Sequence, residues 1–143
     1  MHNIHLLIID NDQVNSFVLK NIIARNYDDV TVTILTDGAL ALDHLKGLDQ
    51  EKSQSFPAII LLDIYMPVMN GFQFLDEYSK LFSNKPTAVF AMSNSLVKED
   101  QQRANDYSVV KGYITKPLIY NNIQFVIESF LENNPNEDND SYA

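Results

Sequence analysis

The chain contains no cysteine, which excludes a disulfide framework, a thiolate nucleophile and a cysteine-ligated zinc site, and fits a reducing compartment. Positive charge is scarce as well: 10 Lys and Arg stand against 19 Asp and Glu, for a net charge of -9. A nucleic-acid surface needs clustered Lys and Arg to meet phosphates, so no direct contact with nucleic acid is expected. No apolar run approaches the length that spans a bilayer, and the opening Met1-His2-Asn3-Ile4-His5 has neither a basic start nor a small-residue cleavage site. These absences predict a cytoplasmic protein with no membrane engagement. What remains is ordinary for one globular domain: 143 residues, 45% hydrophobic and 20% charged, enough to bury a core without disulfides or metal.

Along the chain, short apolar runs alternate with amphipathic stretches, the pattern of β-α units winding a parallel sheet between two layers of helices. Five units are legible. Ile4-His5-Leu6-Leu7-Ile8-Ile9 reads as a strand buried on both faces and ends in Asp10. Val14, Phe17, Val18 and Ile22 recur at helical spacing and predict a first helix ending near Asn26. The β-branched run Val30 to Leu35 predicts strand two, and Asp37-Gly38 precedes a helix carrying Ala41, Leu42 and Leu45. A polar loop is expected from Asp49 to Phe56, then strand three from Ala58 to Leu62, ending in Asp63. Met66-Pro67 and the turn signal Asn70-Gly71 lead to a third helix with Phe74, Leu75, Tyr78, Leu81 and Phe82, its aromatics expected to pack in the core. Strand four is predicted over Ala88 to Met92, ending in Ser93, a polar helix from Val97 to Asn105, strand five from Gly112 to Thr115, ending in Lys116-Pro117, and a last helix carrying Ile119, Ile123, Val126, Ile127 and Phe130. The domain is expected over residues 1–131 and a solvated acidic tail over 132–143.

In an open parallel sheet, ligands bind outside the carboxyl ends of the strands, where the strand order reverses. Asp10, Asp63, Ser93 and Lys116 should therefore meet at one edge. Two carboxylates brought together repel, and a hard divalent cation with oxygen ligands relieves that repulsion, Mg²⁺ being the usual choice beside phosphate. One carboxylate could then attack phosphorus and form an acyl phosphate, with Lys116 holding the phosphoryl oxygens and Ser93 donating a hydrogen bond.

The set Ile8-Ile9-Asp10-Asn11-Asp12, Leu61 through Gly71 with its Asp63-Ile64-Tyr65-Met66-Pro67 core, Ser93, and Gly112-Tyr113-Ile114-Thr115-Lys116-Pro117-Leu118 resembles the receiver domains of two-component response regulators, including single-domain chemotaxis regulators. The resemblance covers about residues 4 to 131. It implies a flavodoxin-like, doubly wound five-stranded parallel sheet of order 2-1-3-4-5. It implies Asp63 as phosphoacceptor, Lys116 as the phosphate-binding lysine on a cis Lys116-Pro117 bond, and Ser93 and Tyr113 as the switch pair. It further implies a Mg²⁺ site drawn from Asp10, Asn11, Asp63 and the backbone carbonyl of Tyr65, with Asp12 as an additional ligand. The implied partners are a sensor histidine kinase or histidine phosphotransfer protein and a downstream protein target that reads the surface of helix four, strand five and helix five. Residues two places beyond the phosphoacceptor and beyond Ser93, here Tyr65 and Ser95, would set phosphoryl lifetime, and a bulky Tyr65 is expected to hinder the attacking water.

The sequence departs from that pattern at Asn11, where the family usually has a second acid; an amide oxygen ligates without bringing charge. Three other readings stay open. Asp10-Asn11-Asp12 could be an N-cap cluster for the first helix. The Asp10-Asn11-Asp12-Gln13-Val14 run also fits the opening of a haloacid-dehalogenase-like phosphohydrolase with Asp10 as nucleophile. Third, a pseudo-receiver would keep the fold as an interaction module without phosphorylation. His2, His5 and His44 show no metal-ligand spacing.

Overall fold

Three runs of branched and aliphatic side chains decide the architecture. A computed structural model describes residues 3–94 and 96–133; Met1, His2, Ser95 and the acidic segment 134–143 lie outside the described residues. Strands β1 (Ile4–Ile9), β3 (Ile59–Asp63) and β4 (Ala88–Ser93) form the buried centre of one sheet, flanked by β2 (Val30–Leu35) and β5 (Val110–Thr115), which are only half-buried. All neighbours pair in parallel, in the order β2-β1-β3-β4-β5. The order therefore reverses between β1 and β3, and a crevice must open there at their carboxyl ends.

Because side chains alternate across a strand, each central strand feeds two cores. Leu7, Ile9, Ile60, Leu62, Val89 and Ala91 pack with α2 (Gly38–Gln50), α3 (Gly71–Phe82) and α4 (Lys98–Asn105). Leu6, Ile8, Ile59, Leu61, Phe90 and Met92 pack with α1 (Gln13–Asn26) and α5 (Tyr120–Asn133) on the other face. The α3 aromatics sit in the core as expected: Phe74, Tyr78 and Phe82 follow one another with ring centroids 5.6 and 5.4 Å apart.

Some boundaries move. Helix α2 runs through Gln50, and α5 through Asn133. Strand β5 starts at Val110, and a register shift opposite Val89 and Phe90 sets Gly112 against the Phe90 ring. The larger difference is the face of α1. Ser16, Leu19 and Ile23 are the buried stripe, whereas Val14 and Phe17 are 75% and 65% exposed and Val18 is exposed too. The helix carries two apolar stripes, and periodicity alone cannot say which one meets the sheet.

Candidate functional site at the carboxyl ends of β1, β3 and β5

Each functional side chain is placed by a strand end. Asp10 follows β1, its backbone N–H donating to the Leu35 carbonyl, and its carboxylate is fully buried. Asp63 closes β3 and is 4% exposed. Ser93 closes β4, fully buried, and its carbonyl accepts the Lys116 N–H at 2.9 Å, which continues the β4–β5 ladder and starts the Lys116 side chain at the sheet edge. The Lys116-Pro117 peptide is cis, as expected.

From there the Lys116 ammonium reaches both acids, 2.8 Å from Asp10 Oδ2 and 3.3 Å from Asp63 Oδ2. The Tyr65 backbone N–H donates to Asp63 Oδ1 at 3.1 Å. Asp10 is more heavily committed: Oδ1 accepts the Asp12 N–H, and Oδ2 accepts the Asn15 side-chain amide at 2.9 Å as well as Lys116. Asn15 lies in the first turn of α1, and it meets Asp10 with the Ser16, Leu19 and Ile23 stripe turned to the sheet. Sequence reasoning missed this bond, because an Asn among helix-forming residues carries no signal of what it faces.

Two acids share one cation, and the electrostatics follow. Burial, and next the Asp10 charge, push the Asp63 carboxyl up from its ordinary 3.8 to about 6, with Lys116 and the Tyr65 N–H pulling the other way. Burial alone would lower the Lys116 ammonium, but its bonds to Asp10 and the charges of Asp10 and Asp63 outweigh it and hold the pKa above the ordinary 10.5. The cluster therefore retains an excess of negative charge that one ammonium does not relieve.

The remaining expected ligands sit differently. Asp12 is the N-cap of α1, accepting the Asn15 N–H at 3.0 Å, and is exposed, which is the capping role weighed for this cluster. Asn11 is exposed. Among the described residues, no three His, Cys, Asp or Glu side chains converge as a metal site. A divalent cation still fits the donor chemistry: two carboxylates with surplus negative charge are hard oxygen ligands of the right kind, and the Tyr65 carbonyl, two residues beyond Asp63 in the chain, would add a third. Tyr113 lies in β5, packed against the α2-α3-α4 core, with its phenol oxygen buried and no partner among the described residues. Among the described residues, no hydrogen bond joins its hydroxyl to the Asp10–Lys116–Asp63 cluster.

Gly71 has a second role beyond the turn signal read in the sequence. It opens α3 behind an Asn70–Gln73 capping box and donates to the Ile64 carbonyl at 2.8 Å. A Cβ at position 71 would lie 2.6 Å from Ile64 Cα and 2.8 Å from the Asp63 carbonyl oxygen, backbone atoms that cannot swing aside. Gly71→Ala is expected to cost about 1–3 kcal/mol in urea unfolding by overpacking; a loss under about 0.5 kcal/mol would show that the strand end tolerates displacement. The same loop holds Val68 at φ 68°, a left-handed conformation unusual for a β-branched residue, with its side chain 98% exposed.

Comparison with known proteins agrees with this geometry. The family model of the response regulator receiver domain matches residues 6–128. A hybrid signal transduction histidine kinase L of Dictyostelium discoideum is 29% identical over 142 residues, covering 96% of this chain and 8% of that protein, so the chain spans under a tenth of this relative's length. The crystal structure of a two-component response regulator from Cytophaga hutchinsonii is similar at a TM-score of 0.82 and 28% identity, covering 92% of this chain and 99% of that one. The Mn²⁺-bound form of response regulator Rcp1 shares the fold at a TM-score of 0.70 and 22% identity, covering 89% and 91%. With a family match over nearly the whole chain, a sheet of the expected order and the acids at its switch point, the chain belongs to the response regulator receiver domain family.

Proposed function

We propose that this receiver domain is a phosphorylation switch in which Asp63 takes a phosphoryl group from a phosphohistidine on a sensor kinase or phosphotransfer protein. The observation that carries the reading is the buried Asp10–Lys116–Asp63 cluster with its raised Asp63 carboxyl. Near pH 7.5 a carboxyl held at about 6 is mostly ionised, so Asp63 is available as a nucleophile. One Asp63 oxygen forms the bond to phosphorus, the P–N bond to the donor imidazole breaks, and the leaving nitrogen takes up a proton. Lys116 holds the phosphoryl oxygens, and Ser93 at the neighbouring strand end is the hydrogen-bond donor that the phosphoryl group draws in. Mg²⁺ held by Asp63, Asp10 and the Tyr65 carbonyl, with Asn11 as the uncharged neighbour, would neutralise charge developing on the transferred group. Tyr113 and the α4-β5-α5 surface would change in response, and a downstream protein would read the change.

The choice of Asp63 over Asp10 rests on availability. Three protein donors occupy the Asp10 oxygens, which leaves it poorly placed as the nucleophile of a dehalogenase-like hydrolase. A protein donor is favoured by the exposed apolar side chains beside the strand ends, Val14, Phe17 and Val18 on α1 and Ile119 after Lys116, which suit a macromolecular contact better than a small anion. No helix among the described residues is long and apolar enough to cross a membrane, consistent with action in the cytoplasm.

Intact mass after incubation with a small phosphodonor and Mg²⁺ tests the reading. One phosphoryl increment in the wild type, absent in Asp63→Asn and in metal-free buffer, is the expected result. No increment in folded wild-type protein would replace the switch with the pseudo-receiver, a reading the uncharged Asn11 favours. Modification at Asp10 would instead point to the hydrolase.

A further inference from the structure

Helix α4 is held to the domain by little apolar packing. Ala104 is its only buried residue among those described, and Val97 at its N-cap has no side-chain acceptor to close the first turn. Its attachments are largely side-chain contacts to the neighbouring layer: the Arg103 guanidinium lies 4.1 Å from the centre of the Phe72 ring, and the Tyr107 hydroxyl, just beyond the helix, donates to Asp76 at 2.5 Å. At the other end of α4 the Tyr65 hydroxyl donates to the carboxylate of half-buried Asp100. That contact differs from the others in what it joins. Tyr65 is the residue whose backbone N–H holds Asp63 Oδ1, whereas Asp100 belongs to the first turn of the helix that follows β4. Because β3 and β4 are neighbours in the sheet, the tyrosine side chain ties the loop after β3, which follows Asp63, to the helix that follows β4 and Ser93.

We propose that Asp100 is a positioning residue: its bond to the Tyr65 hydroxyl latches α4 to the phosphoacceptor loop and keeps the tyrosine ring across the mouth of the site, so that it slows the approach of water to a phosphorylated Asp63. The same latch works in both directions. A loop displaced by a phosphoryl group pulls on the first turn of α4, and an α4 captured by a partner releases the ring. The lifetime half of this inference rests on the phosphorylation reading; the helix half does not.

Two readouts on Tyr65→Phe, Asp100→Ala, Asp100→Asn and the double variant Tyr65→Phe/Asp100→Ala test it. Amide hydrogen exchange over residues 98–105 in unphosphorylated protein reports local opening of α4, and decay of the phosphorylated form reports the lifetime. Loss of one charge-assisted bond is expected to accelerate both by about three- to tenfold, equally in Tyr65→Phe and Asp100→Ala, with no further gain in the double variant. Asp100→Asn, whose amide oxygen still accepts the phenol, should recover part of each effect. Unchanged α4 exchange, additive effects in the double variant, or faster exchange with an unchanged decay rate would each overturn the proposal. If the wild type takes up no phosphoryl group, the phosphorylation reading fails by itself, and α4 exchange still decides whether the latch exists.

Discussion

Asp63→Asn is expected to make the protein more stable at pH 7.5 while abolishing phosphoryl uptake. The carboxyl at position 63 is pushed up to about 6, by burial first and then by the Asp10 charge, so its ionised form is the unfavourable one in the folded protein. A carboxyl raised in this way stabilises the fold fully below its ordinary value of 3.8, and that contribution is lost as the pH rises through about 6. Asparagine removes the charge, keeps an oxygen for the Tyr65 N–H, and lacks the carboxylate proposed above as the nucleophile. Allowing for screening at the open edge of the site, the gain should be on the order of 1–2 kcal/mol at pH 7.5 in metal-free buffer, a rise of a few degrees in thermal midpoint. It should shrink as the pH falls from 6 toward 4, because the wild-type acid then takes up a proton and loses the same repulsion. Thermal unfolding of both proteins across that window checks the expectation. A variant no more stable than wild type at pH 7.5, or one whose advantage persists at pH 4, would mean that Asp63 is not held in an unfavourable charged state.

The opposite change should follow loss of the cation. Lys116→Met removes the charge that both buried carboxylates share, leaving two anions with only neutral donors. Breaking a buried pair by deleting one partner typically costs about 3–5 kcal/mol, and a loss of that size is expected in urea unfolding at pH 7.5. The deficit should lessen toward pH 5, where one carboxyl can be neutralised by a proton. It should also lessen in the double variant Lys116→Met/Asp63→Asn, since the remaining Asp10 charge keeps its bonds from Asn15 and the Asp12 N–H. Additive effects in the two variants would show that Lys116 and Asp63 do not act through each other. On the alkaline side, the raised Lys116 pKa means that the pair's contribution weakens as the ammonium is stripped above about 10.5. Phosphoryl uptake should fall by about 10²–10³-fold in Lys116→Met, the usual cost of removing one group that stabilises developing charge.

These two variants probe the part of the site that sequence reading reached. Asp10, Asp63, Ser93 and Lys116 were legible because each closes a strand whose apolar run is unmistakable, and a parallel sheet carries every such residue to one edge. Asn15, the close approach of Gly71 to the Asp63 strand end, and the Tyr65–Asp100 bond were not. Asn15 meets Asp10 only because α1 is rotated toward the sheet through Ser16, Leu19 and Ile23, whereas the more regular apolar stripe of that helix faces outward. Asp100 lies 35 residues beyond Tyr65, and no local pattern marks a polar pair so far apart.

The sequence by itself determined the alternation of strands and helices, the burial of the central strands and the identity of the groups at their ends, because burial on both faces demands continuous apolar runs and a chain leaving such a strand must surface where it stops. Tertiary structure alone decided which stripe of α1 is covered, how one ammonium is divided between two acids and that the Tyr65 hydroxyl meets Asp100. Helix rotation and long-range polar pairing depend on the whole set of surrounding surfaces, and no short stretch of sequence contains them.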